Sequence, residues 1–409
     1  MPVLSNIEAL AACREEGGQS EIHLIEDAAL VWEGDLISWV GRRTEVPSRY
    51  RDEPLHDARG ALVVPGLIDC HTHLAFGGWR ADEFAQRIAG TSYLDIARAG
   101  GGIARTVRET RAISSRDLLG RCDGFLDQIT RLGVTTVECK SGYGLDWENE
   151  HKLLKVYERL AHTHPLRVIP TFLGAHTLPP EMSGDRQRYV RLIIEEMIPQ
   201  VAEEGLAGFC DVFVEDTAFT IDEARQILEA GLRHGLKPKL HADQLSDTGG
   251  ASLAAEMGAV SADHLEQISR QGIEDMANAG VVAVSLPLAS LYLDQPFMPA
   301  RDLIEAGVAV AVATDFNPGS APSFHLPLAM MLACTRQRMT PSEVLKGVTL
   351  YAARALDLED RLGSLEPGKE ADFTLIDAPS VDHWLYHFRS NACLGSYVAG
   401  VALQRPAGR

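Results

Sequence analysis

Eight short apolar runs rich in β-branched residues recur along the middle of the chain, with helically periodic stretches between them. The runs lie at 63–69, 134–139, 168–173, 210–214, 237–241, 260–264, 281–286 and 309–315; the clearest helical stretches are 116–132, 148–161, 186–204, 221–233 and 249–257. Strand–helix alternation with near-continuous apolar strands predicts a parallel sheet covered on both faces. Eight such units predict an α/β fold closed as a (β/α)8 TIM-like barrel. No glycine-rich nucleotide fingerprint follows the first run, which argues against an open dinucleotide-binding sheet. A barrel of roughly 250 residues leaves room for a smaller unit in a chain of 409.

Both chain ends have the character of that unit. Residues 28–32, the turn Glu33-Gly34-Asp35 and residues 36–40 read as a hairpin. Near the other end come the turn-rich GSLEPGK at 363–369 and strands at 372–376 and 396–403, the latter with a turn at Gly400. Residues 1–60 and 363–409 are therefore expected to form one small β-unit beside a barrel over 61–362. The connection between the first and second barrel strands is long and contains Gly100-Gly101-Gly102. No phosphate-binding Lys-Ser/Thr follows these glycines, so they read as a loop at the barrel mouth.

A formal charge of −19 repels phosphate backbones and anionic lipid, so neither nucleic acid nor membrane is an expected partner. An anionic substrate would need a local cationic clamp against that field. The seven cysteines are scattered singly, several within apolar runs, and read as buried free thiols. No apolar stretch approaches the roughly 18 residues of a membrane span, and the first residues lack a secretory pattern. The expected compartment is the cytoplasm.

The chemistry-bearing residues gather at strand ends. His71 and His73 close the first strand, and their i, i+2 spacing points both imidazoles the same way. His241 closes KPKLH, His264 closes VSADH and Asp315 closes VAVATD. In a barrel the C-terminal tips of strands one, five, six and eight open onto one mouth. Three imidazoles and a carboxylate suit one divalent metal, Zn(II) or Fe(II), with Mn(II) or Co(II) as alternatives. A metal supplies the nucleophile, because coordination brings the pKa of water down to about 7. Asp315 is the candidate proton carrier, and His264 is placed to polarise the attacked carbonyl rather than to bind the ion.

The segments PGLIDCHTH, HAD, SADH, ATDFNPGS and GSLEPGKEADF resemble the metal-dependent amidohydrolase superfamily, in which the two chain ends form a small β-sandwich. HLAFGGWRADEF (73–84), TVECKSGYGLD (136–146), TFLGAHTLPPE (171–181) and TDFNPGS (314–320) narrow the resemblance to the imidazolonepropionase family, over nearly the whole chain. That resemblance implies hydrolysis of 4-imidazolone-5-propanoate to N-formimino-L-glutamate in histidine degradation, by a homodimer. It implies metal ligands at His71, His73, His241 and Asp315, and substrate contacts at Arg80, Tyr143, His176, Asn317, Gly319 and Ser320, with Tyr93 as a further candidate. Some relatives have glutamate where this chain has Gln244; an amide cannot serve as a base, so proton transfer falls to His264 or Asp315. Arg80 matches the clamp that an anionic small heterocycle requires. Lys140 occupies a region where some amidohydrolases carry a metal-bridging carboxylated lysine, but the single-metal ligand set leaves it without that role. A deaminase acting on another small nitrogen heterocycle is the competing reading of the same scaffold.

Overall fold

The computed structural model describes residues 1–91, 95–96 and 99–403; Tyr93 lies outside them. Eight parallel strands form the central sheet in sequence order: β5 (Leu67–Asp69), β6 (Val134–Lys140), β7 (Arg167–Ala175), β8 (Phe209–Val214), β9 (Lys237–Ala242), β10 (Ser261–His264), β11 (Val282–Ser285) and β12 (Val310–Val312). Helices alternate with them, among them Ser115–Thr130, Trp147–Thr163, Ile221–Arg233 and Gly250–Glu256. Most strand positions are buried, as expected for a sheet covered on both faces.

The last strand returns to the first at the point where the chemistry lies. Thr72 and Phe316 form a parallel bridge. Asp315 N–H donates to the His71 carbonyl at 3.0 Å, and His73 N–H donates to that of Phe316 at 2.9 Å. Below this seam the Asp69 carboxylate accepts both the Thr314 amide (3.0 Å) and the Thr314 hydroxyl (2.6 Å). Barrel closure thus brings His71, His73 and Asp315 together by backbone pairing.

A second sheet of seven strands is built from both chain ends. Its strands are β1 (Val3–Ala11), β2 (Leu24–Glu33), β3 (Leu36–Arg42), β4 (Leu55–Pro65), β13 (Phe373–Ile376), β14 (Cys393–Val398) and β15 (Val401–Ala402), in the order β15-β14-β13-β4-β1-β2-β3. Strand alternation divides its faces. Ala9, Ala11, Leu62 and Val64 pack into the barrel core, whereas Leu10, Ala12 and Val63 join a separate core with Trp32 and Phe373. The apolar run at 63–69 is split between the two sheets, since β4 ends at Pro65 and the barrel begins at Leu67. Gly66 makes the crossing; a Cβ there would lie 2.2 Å from Thr135 Oγ1. Periodicity alone could not reveal this break, because both sheets bury their strands.

All seven cysteines are free, and six are buried. Among the described residues no helix is long and apolar enough to cross a membrane.

Candidate active site

The strand tips open into a cavity of about 590 Å3. His73, His241, His264 and Asp315 form its polar floor, and Arg80, Tyr143, His176, Gln244, Asn317, Gly319 and Ser320 all line it. His71 lies beneath the floor, fully buried.

The ring nitrogens converge. His71 Nε2 and His241 Nε2 each lie 3.3 Å from His73 Nε2, and Asp315 Oδ1 lies 3.5 Å from the Nε2 atoms of both His71 and His73. Zn–N bonds of about 2.0–2.1 Å in tetrahedral geometry put two imidazole nitrogens roughly 3.3–3.4 Å apart. The spacing therefore fits a single cation. His71, His241 and His264 form a second, overlapping cluster, in which one donor atom from each lies within 4.8 Å of the others.

Carboxylates set the tautomers. His71 Nδ1 donates to Asp263 Oδ2 at 2.6 Å, and His241 Nδ1 donates to Asp211 Oδ1 at 3.1 Å. An ionised carboxylate only accepts, so each ring carries its proton on Nδ1 and directs Nε2 to the centre. Burial, with His176, His71 and His241 close by, pushes the His73 pKa well below the ordinary value. Burial likewise takes His241 down to about 4 against the pull of Asp211. At His71, burial and Lys140 oppose protonation, but the contacts with Asp263 and Asp315 outweigh them and raise the pKa to about 9. A bound cation must displace that proton. Despite burial, Asp315 is held below the usual carboxylate range by His71 and the neighbouring imidazoles.

Local structure explains how the remaining side chains reach the cavity. The loop after β6 wraps around the buried Glu150 carboxylate, which accepts the amides of Gly142 (3.0 Å), Gly144 (2.7 Å) and Leu145 (2.8 Å). Tyr143, held between these amides, lies with its ring 5.7 Å from that of His73. His176 stacks on His73 at 5.0 Å and donates from Nδ1 to the Gly142 carbonyl at 3.0 Å, so its Nε2 is the nitrogen left for a ligand. Burial and His241 push its pKa down to about 3, keeping the ring neutral.

After β12 the chain turns sharply at Asp315, whose φ is +55°. The Asn317 amide organises the turn: Nδ2 donates to the Asp315 carbonyl and Ser320 Oγ, and Oδ1 accepts the amides of Gly319 and Ser320. Asn317 thus borders the cavity with its side-chain hydrogen-bonding capacity engaged within the turn. Ser320 Oγ donates to Asp315 Oδ2 at 3.3 Å. Gly319 lies against Arg80; a Cβ there would sit 1.4 Å from a terminal guanidinium nitrogen. Arg80 itself precedes the helix Ala81–Ile88, and its buried Nε has no hydrogen-bond partner among the described residues. Glu83 Oε2 lies 3.7 Å from that nitrogen.

Several contributors escape sequence reading. Asp211 and Asp263 are single acids within apolar strands, and Glu150 lies on the inner side of a helix. Arg87, about two helical turns beyond Arg80, brings a second guanidinium to the cavity and stacks over Tyr292 at 5.3 Å. Strand alternation was the available signal for the two aspartates, since it puts Asp211 and Asp263 on the barrel's inner face.

Comparison with known proteins agrees with this architecture. The Amidohydrolase family profile matches residues 213–403. Imidazolonepropionase of Geobacillus thermodenitrificans is 47% identical over 392 residues, covering 95% of this chain and 92% of the relative. That of Cupriavidus necator is 49% identical over 361 residues, covering 88% and 87%. Among solved structures, Escherichia coli guanine deaminase aligns over 100% of both chains with a TM-score of 0.74 at 16% identity. An adenosine deaminase from Xanthomonas campestris with bound zinc aligns over 99% of this chain and 93% of its own, with a TM-score of 0.72 at 19% identity. Those two share the fold; the two sequence relatives share family membership, and the chain belongs to the imidazolonepropionase family.

Proposed function

We propose that this chain hydrolyses the ring amide of 4-imidazolone-5-propanoate to N-formimino-L-glutamate, using one divalent ion, Zn(II) or Fe(II). The observation that carries the reading is the convergence of three Nε2 atoms and a carboxylate under a cavity bordered by Arg80. His71, His73, His241 and Asp315 would hold the divalent ion, which would acidify a water and polarise the ring carbonyl.

The chain's own groups do the rest. Arg80 pairs with the propionate, a charge-assisted contact that anchors the substrate away from the reacting bond. Gly319 leaves the space its guanidinium occupies. Tyr143 and His176 flank the ring, and Gln244 offers it both a donor and an acceptor. His264 donates to the carbonyl oxygen as that atom gains charge. The two oxygens of Asp315 divide the work: Oδ1 faces the imidazoles, and Oδ2 takes a proton from the water and returns it to the ring nitrogen as the C–N bond breaks. One water is consumed; its oxygen joins the carbonyl carbon, and no ammonia leaves.

The last point separates this reaction from a deamination. Mass spectrometry after incubation should find the formimino acid, with no ammonia released in step with turnover. Stoichiometric ammonia would replace this reading with the deaminase one.

A further inference from the structure

Beneath the cavity floor lies a cluster of charge that the proposed reaction does not use. Strand alternation places it: Glu138 and Lys140 on β6, Asp211 on β8, Lys239 on β9 and Asp263 on β10 all point into the barrel. The Lys140 ammonium lies 2.7 Å from Asp211 Oδ2, 3.1 Å from Asp263 Oδ2 and 3.1 Å from Glu138 Oε1, all with 0% side-chain exposure. Asp211 and Asp263 are the carboxylates that fix the Nδ1 protons of His241 and His71. One ammonium therefore stands behind two imidazoles, through two separate carboxylates.

We infer that Lys140 is a positioning residue for the metal centre, bridging the carboxylate supports of His71 and His241 so that both rings keep Nε2 aimed at the ion. Removing the ammonium would take away the contact that ties both carboxylates to one point and leave each with an unpaired buried oxygen, free to turn away from the imidazole it orients. Supports of this kind typically contribute about 10–100-fold to metal affinity. Lys239 provides an internal comparison. It is equally buried and its charge also acts on Asp263, but it pairs with Glu138 Oε1 at 3.0 Å and donates to the Ala355 carbonyl at 3.0 Å rather than bridging Asp211 and Asp263. The direction of the Lys140 pKa agrees: burial opposes the charge, yet Asp211, Glu138 and Asp263 hold it well above the ordinary value.

This inference rests on the metal reading, and zinc affinity tests the two separately. Stripped full-length protein competes with a chromogenic chelator for Zn(II), beside a thermal melt of each stripped sample. Lys140→Met should weaken zinc binding by about 10–100-fold. Lys140→Gln, which keeps amide donors without the charge, should weaken it less. Lys239→Met should lower the melting temperature while leaving zinc affinity within roughly threefold of the parent. Unchanged affinity in a folded Lys140 variant would overturn the inference, as would a loss no larger than that of Lys239→Met. It would also fall if both Lys140 variants failed to fold while Lys239→Met folded, because the lysine would then be holding the barrel rather than the imidazoles. Parent protein that takes up no zinc would remove the zinc form of the metal reading itself.

Discussion

Asp315→Ala is expected to lower kcat/KM for 4-imidazolone-5-propanoate by at least about 1000-fold, since general acid–base groups alone contribute about 100- to 10,000-fold. Two functions leave with one side chain. In the proposed reaction Oδ1, 3.5 Å from the Nε2 atoms of His71 and His73, joins the donor set, and Oδ2, which accepts from Ser320, carries the proton. The loss should appear in steady-state kinetics together with reduced bound metal. Asp315→Asn keeps a ligand-sized oxygen but cannot shuttle the proton; it should retain more metal than the alanine variant while remaining nearly as inactive. Activity of Asp315→Ala within tenfold of the parent would remove Asp315 from both roles.

The second large effect concerns the substrate's charge. Arg80→Ala should raise KM by roughly 10- to 100-fold, the equivalent of a charge-assisted hydrogen bond of about 1.5–3 kcal/mol. The change in kcat should be much smaller, because the contact is remote from the reacting bond. The net charge of −19 makes this clamp more important, since the surrounding field disfavours an anion. Gly319→Ala offers a second route to the same result. Its new methyl would collide with the guanidinium, which must move, so KM should rise without any charge being removed. Unchanged KM in both variants would assign the propionate to another partner, and Arg87 would be the first to examine.

Both effects involve residues that were legible in the sequence, though for different reasons. The His71/His73 pair, His241, His264 and Asp315 close apolar strands, and the eightfold alternation sends those ends to one mouth. Arg80 was visible only through resemblance, because an arginine in a loop has no local pattern that distinguishes it. Its fit with Gly319 joins positions 239 residues apart, which no periodicity encodes. Asn317 was legible as part of a turn, but the engagement of its amide by that turn needed coordinates.

The charged layer under the site is the part least visible in the sequence. Asp211 and Asp263 sit inside runs whose apolar neighbours made them read simply as strand, and their meaning depends on imidazoles carried by other strands. Lys140 was noticed only as a position where some amidohydrolases place a bridging ligand. Its three carboxylate neighbours give it a different environment: an ammonium fully paired within the barrel. The break at Pro65–Gly66 was hidden for a related reason, since the end sheet and the barrel are apolar alike at that point.

The central claim is hydrolysis at a cation held by these strand tips, and the most direct measurement is the absorbance of freshly generated 4-imidazolone-5-propanoate. It would be followed with metal-loaded enzyme, with enzyme stripped by a chelator, and with stripped enzyme resupplied with Zn(II) or Fe(II). The account predicts rapid loss of the imidazolone signal over the uncatalysed rate, abolition on stripping and recovery with at least one of the two ions. Turnover that persists in fully stripped enzyme, or its absence from a metal-loaded sample, would contradict it.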